Sequence, residues 1–317
     1  MSSLDDVSIV VVNYGSSDLL EVNLATLTRV VPGVHAVVVD NLTDDAERRR
    51  VTALAEREGW SVVLPDGNEG FGGGMNLGVR RAQELGAAHH VLVNPDAVLD
   101  GAGLEALVSF SRAHPGTMAS PRILRPDGSI WFDGSDLYLD DGRIRSRRRR
   151  TGSAERVEEW LSGACLVVSS DLWDRSGGFD EDYFLYWEDV DLSRRVMQAG
   201  GELRVLAEVT AVHAEGGTQA GGGHVVSGEA KSKTYYFHNI RNRLLFASKH
   251  LPTDDLESWR RSSARVAWEI LLQGGRRQFV TSPQTLLVGL RAHRAGVRIA
   301  DAELARRRAA VEAGPRP

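Results

Sequence analysis

The sequence predicts an α/β fold: an open, mostly parallel sheet flanked by helices, with a helical extension at its C-terminus. Three observations predict it. Unbroken β-branched runs recur through the first third of the chain, helix-periodic stretches separate them, and beyond Leu244 only helical patterns remain. Strand–helix alternation of this kind builds parallel sheets, whose ligands bind beyond the carboxyl ends of the strands.

Val7 to Val12 (VSIVVV) reads as a first strand covered on both faces. Leu19 to Val30 has helical spacing and is stopped by Pro32-Gly33. Val34 to Val39 is a second strand, Ala46 to Glu58 a helix, and Trp60 to Leu64 a third strand. Met75 to Leu85 forms a helix ended by Gly86, and His90 to Val93 a further strand. Pro121 to Gly142, rich in Gly, Pro and Asp, suggests loops or a small hairpin, and the basic run Arg143 to Arg150 reads as a solvated, mobile loop. Order returns at Trp160 to Val168, followed by a helix near Asp171 to Arg175, a helical run from Val190 to Met197 and a strand from Leu203 to Val212. Arginine-rich helical patches come next, with a frayed tail from Arg306 to Pro317. The expected division is one domain over residues 1–245 and a helical cap, dimer or membrane-facing unit over residues 246–317.

With 42% apolar and 26% charged residues, the chain can bury a sizeable core. Its 38 basic and 43 acidic residues leave a net charge of -5, so nothing global points to nucleic acid. One cysteine, Cys165, excludes an intramolecular disulfide and a cysteine-cluster metal site, and its apolar neighbours make it a buried, inert thiol. The N-terminus lacks the basic start and apolar run of a signal peptide, and no stretch approaches the ~20 apolar residues of a bilayer span. The expectation is a cytoplasmic protein, with peripheral contact at the inner face of the plasma membrane left open.

Polar residues stand where the strands end: Asn13-Tyr14, Asp40-Asn41, Asn68 to Gly74 and Asn94-Pro95-Asp96. No G-x-x-x-x-G-K-[ST] loop and no G-x-G-x-x-G after the first strand occur, which argues against a P-loop ATPase and a dinucleotide enzyme. The glycines at 70 and 72–74 suit either a tight turn into a helix or a backbone cradle for a phosphate. Asp40 either caps a turn or accepts from the imide N–H of uracil or thymine, and Tyr14 either packs or stacks on a base. Pro95 turns the chain and presents Asp96, a carboxylate suited to Mg2+ or Mn2+ beside a diphosphate. Glu188, Asp189 and Asp191 open a helix behind an aromatic run, more acid than capping requires, so one is a candidate general base. His213 follows a strand and is a candidate metal ligand.

Taken in order, these segments resemble the family 2 glycosyltransferases with a GT-A fold, especially their bacterial rhamnosyltransferase-like branch. The likeness spans Val7 to Arg243 and rests on Asn13-Tyr14, VVVDN at 37–41, NEGFGGGMNLG at 68–78 and VNPDA at 93–97. It continues through SGACLVV at 162–168, GGFDEDYFLYWEDVDLSRR at 177–195, and His213. The resemblance implies an inverting transfer of one sugar, with Asp189 as catalytic base and Glu188 in support. It implies nucleotide-sugar contacts from Asn13, Tyr14, Asp40, Asn68, Gly70, Phe71, Gly72 and Asn76, and further from Asn94, Asp96, Gly163 and Ala164. Trp160 and Trp187 would lie on the acceptor side. Asp96 and His213 would hold the Mg2+ or Mn2+, although Asn94 stands where the family's D-x-D motif has its first aspartate. The implied donor is dTDP-L-rhamnose, with UDP-hexoses and UDP-galactofuranose as alternatives, and the acceptor a glycan, a lipid-linked sugar or a natural product. Peripheral membrane contact through the C-terminal helices and a homodimer are both left open. A nucleotidyltransferase is disfavoured because Asn13 to Asp18 lacks a glycine-rich basic loop; a non-catalytic nucleotide-sugar-binding protein remains as the rival.

Overall fold

A computed structural model describes residues 4–150, 156–213 and 231–313. β1 (Val7–Asn13) runs parallel to β2 (His35–Asp40), which pairs with β3 (Ser61–Val63), while β4 (His89–Val93) flanks β1 on its other side. The long β-branched run buries every residue of β1, as a strand covered on both faces must. Between β1 and β2, α1 (Ser17–Leu19), a π-helical turn (Leu20–Leu24) and α2 (Ala25–Val30) form one continuous helix. α3 (Asp45–Glu58) starts on an Asp44 cap and stops at Gly59 in the left-handed conformation.

α4 (Gly70–Glu84) begins five residues before the helix expected from Met75. The glycine run therefore lies inside a helix and is no open turn. Its glycines permit close packing: a Cβ at Gly78 would fall 2.3 Å from the Val10 side chain, and one at Gly72 would fall 2.8 Å from Phe179.

β5 (Ala97–Val98), α5 (Gly101–Ala113) and β6 (Thr117–Leu124) follow. β6 carries Pro121 through a region expected to be loop. The proline is tolerated because partner strand β12 (Glu202–His213) shifts register between Leu206 and Thr210. β7 (Ile130–Phe132) pairs with β6, and β8 (Ser135–Tyr138), β9 (Ile144–Ser146) and β10 (Val157–Trp160) make a separate three-stranded sheet. The basic run is thus not a mobile loop. It supplies β9 and a short helical turn, and Arg150 pairs with the fully buried Asp136 and with Glu159. β11 (Cys165–Ser169) returns antiparallel beside β4, giving a main sheet ordered β3-β2-β1-β4-β11-β6-β12-β5.

α6 (Ser170–Ser176) and α7 (Glu188–Gln198) cover this part of the sheet. α8 (Lys233–His250), α9 (Thr253–Leu272), α10 (Gln278–Thr281) and α11 (Gln284–Glu312) complete the chain. The division expected at 245/246 falls inside α8, and the segment expected to fray from Arg306 is helical as far as Glu312. A second core joins Tyr183, Trp187 and Val190 to Leu244, Trp259 and Leu304, so the C-terminal helices share apolar packing with the start of α7.

Candidate active site

The turns after β1 and β4, the end of β12 and the turn before β11 meet at one end of the sheet, because β1, β4, β6 and β12 all point there and β11 starts there. Asn94-Pro95-Asp96 follows β4 and is held by Asn23, whose amide donates to the Pro95 carbonyl at 2.8 Å. Asn23 lies in the π-helical turn, a wider coil often found beside functional sites. β5 then pairs with the end of β12 and sets Ala97 opposite His213.

That pairing brings Asp96 Oδ1 to 3.0 Å from His213 Nε2, both side chains being buried. Among the described residues neither atom finds a hydrogen bond of proper geometry, and Asn94 Oδ1 is buried without a donor as well. Leaving such groups unpartnered costs about 1–3 kcal/mol each. A carboxylate, an imidazole and an amide oxygen gathered in this state fit the donor set of a divalent cation. Trp131 packs on the His213 ring, centroids 4.6 Å apart. Among the described residues no group of three His, Cys, Asp or Glu side chains adds further ligands.

The turn Ser162–Ala164 forms a wall shared by two candidate groups. Its Ala164 carbonyl accepts from the Asn94 amide at 3.0 Å, and its Gly163 amide donates to Asp189 Oδ2 at 3.1 Å. The Asn94 backbone and the Asp189 carboxyl, remote in sequence, therefore meet on one backbone turn. The three acids of α7 are differentiated by their surroundings. Asp191 is fully buried; burial alone would raise its pKa, but His250 at 2.5 Å and Arg195 at 2.6 Å outweigh this and hold it low. Glu188 is buried with Oε2 unpartnered, and burial together with the adjacent Asp189 pushes it well above the carboxylate range. Asp189 is half-buried; burial pushes it up to about 6, against the pull of the Gly163 and Val190 amides. Only Asp189 combines partial access with a carboxylate that ionises near neutrality.

The segment leading into α7 is strained. Phe184, Tyr186 and Trp187 have φ of +61°, +63° and +76°, each costing about 1–3 kcal/mol for a side chain of this size. Two devices hold it. The Phe71 amide donates to the Phe184 carbonyl at 2.8 Å, and the Asn242 amide of α8 reaches the Tyr183, Leu185 and Tyr186 carbonyls at 2.8–2.9 Å. Asn242 was missed in the sequence; its only signal is an asparagine inside the apolar helical run that ends in Leu244-Leu245-Phe246. Trp131 and Asn23 were missed because each lies outside any motif.

Several expected contacts are spent on the scaffold. Asp40 is fully buried: Asn13 donates to one oxygen at 2.9 Å and Arg48 to the other at 3.1 Å, so it is not open to a base. The Asn13 amide also reaches Glu47, which ties β1 to α3. Tyr14 is 47% exposed at the end of β1, open to a stacking partner. Asn68 is exposed, with its Oδ1 accepting from the Gly70 amide. Gly70 and Gly72 face Phe184 and Phe179 and do not form a cradle, while Phe71 lies edge-on to Phe179 and beside Gly163. Asn76 clamps the Phe179 backbone in both directions at 2.9 Å, which commits its amide to the loop. Trp160 packs on Phe132 with its Nε1 unpartnered, whereas Trp187, expected to face an acceptor, is buried against Phe246 and Trp259.

The profile of the family described as "Glycosyltransferase like family 2" matches residues 5–227. The chain is 30% identical over 223 residues to the N-acetylglucosaminyl-diphospho-decaprenol L-rhamnosyltransferase of Mycobacterium tuberculosis, covering 62% of this chain and 72% of that protein. It is 25% identical over 216 residues to the low-salt glycan biosynthesis hexosyltransferase Agl10 of Haloferax volcanii, covering 66% and 67% respectively. The solved mannosyltransferase PcManGT of Pyrobaculum calidifontis, in complex with GDP-Man and Mn2+, superposes with a TM-score of 0.53. It is 17% identical and the match covers 94% of this chain and 84% of that one.

Proposed function

The chain belongs to glycosyltransferase family 2 and has a GT-A fold, and from that premise we propose that it moves one L-rhamnosyl unit from dTDP-L-rhamnose to an acceptor hydroxyl with inversion. The observation that carries this reading is the turn Ser162–Ala164, whose backbone touches both Asp189 and the Asn94-Pro95-Asp96 turn. Asp189 takes the proton of the acceptor hydroxyl as its oxygen attacks the anomeric carbon, and the sugar–phosphate bond breaks on the opposite face. The Gly163 amide orients the base through Oδ2. Glu188, kept neutral by burial, places no second charge beside it at neutral pH. Asp96 and His213, with Asn94 adjacent, would hold Mg2+ or Mn2+, which when bound offsets the charge of the nucleoside diphosphate. Tyr14 offers its open ring to the base of the nucleotide.

The donor is named from the rhamnosyltransferase relative. The acceptor in that relative's name also favours a sugar carried on a polyprenyl diphosphate over a free glycan or natural product. UDP-hexose and UDP-galactofuranose are the competing donors, and the burial of Asp40 removes the group expected to select a uracil or thymine imide. The test is release of nucleoside diphosphate from a panel of nucleotide sugars, with and without lipid-linked acceptor, before and after chelation. Release from dTDP-rhamnose that needs acceptor and is restored by Mn2+ or Mg2+ supports the reading. Release only from a UDP-sugar replaces the donor, persistent turnover in chelator removes the metal, and binding without turnover of any donor favours the non-catalytic rival.

A further inference from the structure

Charge on the C-terminal helices is unevenly balanced. At their far end the arginines are matched: Arg260 pairs with Asp301, Arg307 with Glu303, and Arg308 with Glu257. At the near end they are not. Between Glu269 and Asp301 the sequence holds no acidic residue, yet it holds Arg276, Arg277, Arg291, Arg294 and Arg298. All five are exposed, and none has a hydrogen-bonded or ionic partner among the described residues. This local excess sits on a chain of net charge -5.

The same end exposes apolar side chains. Val280 is 86% exposed, Leu287 57%, Trp268 48% and Leu290 44%, with Trp268 stacked on Phe279 at 5.2 Å. On α11 the buried positions Thr285, Gly289, Ala292 and Gly296 define one face. At 100° per residue, Leu287, Arg291, Arg294 and Arg298 fall on the opposite one. The outward face is therefore apolar in its first turn and basic in the next three. A protein partner could cover an apolar ridge of this kind, but the surrounding unmatched arginines need a dense negative surface. Aromatic and aliphatic tips ringed by arginine suit the boundary between acyl chains and anionic headgroups.

We propose that the tip formed by the end of α9, α10 and the start of α11 docks on an anionic lipid bilayer. The tip lies beside the candidate site. Tyr235 of α8 donates to Gln273 at its edge and packs against Tyr186, which belongs to the strained segment before Asp189. Docking stands independently of the donor, acceptor and metal assigned above.

The experiment is co-sedimentation of the full chain with vesicles of phosphatidylcholine alone or mixed with phosphatidylglycerol, without donor or acceptor. Binding is expected to the mixed vesicles only, and to fall as salt is raised. It should drop about tenfold or more in Arg291→Glu/Arg294→Glu and in Leu287→Asp. Both variants change exposed side chains and should keep the parent melting temperature. Absence of binding to mixed vesicles, or binding indifferent to both variants, overturns the proposal. So does a dimer in light scattering that both variants dissociate while vesicles are ignored, which would make the tip a self-interface. Vesicle binding by a protein that transfers no sugar leaves the docking surface standing and sinks only the assigned reaction.

Discussion

Asp189 and Glu188 show how burial gives neighbouring carboxyls different proton affinities. A general base must be ionised to act, so transfer should rise with pH through about 6, the value to which burial pushes Asp189, and level above it. A profile flat from pH 5 to 8 would remove Asp189 from that role. Asp189→Asn should lower kcat by about 10²–10⁴-fold while donor affinity, read by calorimetry, stays nearly unchanged. Stability should move the other way. A carboxyl whose folded pKa is raised contributes stability that is present below its unfolded value and lost as pH rises through the folded one. At pH 8 the variant should thus melt no lower than the parent. Cys165 is the opposite kind of residue. Fully buried, with its thiol pushed up to about 12, it should resist alkylation until the chain unfolds, and labelling of native protein would contradict that packing.

At the scale of elements, the segment Phe184 to Trp187 is unfavourable by itself and is set by its neighbours. Asn242 is the main restraint, and it acts through the backbone of that segment without touching the site. Asn242→Ala should therefore lower kcat more than it raises the donor KM, and shift the acidic limb of the pH profile as Asp189 is re-solvated. Asn242→Asp cannot donate to three carbonyls and should fail to rescue it. A loss seen only in melting temperature would reduce Asn242 to a structural residue. Gly70 serves the same contact from the other side. Its φ is +75°, and a Cβ there would lie 2.2 Å from the Phe184 carbonyl oxygen, so Gly70→Ala should displace the segment and lower both stability and transfer.

Across the whole molecule, the C-terminal helices are built into the site. Trp259 is fully buried, lies edge-on to Trp187 and stacks on Phe246, and its indole donates to the Leu139 carbonyl. Trp259→Ala should cost about 3–5 kcal/mol in chemical denaturation and lower transfer as well, although the residue lies beyond the family match. An unchanged activity at full folding would separate the helices from the site. The sequence by itself determined the sheet, through β-branched runs that only a covered strand buries well. It also determined the chemical types at the strand ends and at the start of α7, because Asp96, His213 and Asp189 are local choices visible one by one. Tertiary structure alone decided which of them remain open to a substrate. Asp40 carries the same carboxyl group as Asp189, but Arg48 and Asn13 occupy it, whereas Asp189 meets mainly backbone amides. Such partners come from other elements, and their positions follow from packing between segments far apart in the chain, which no local pattern encodes.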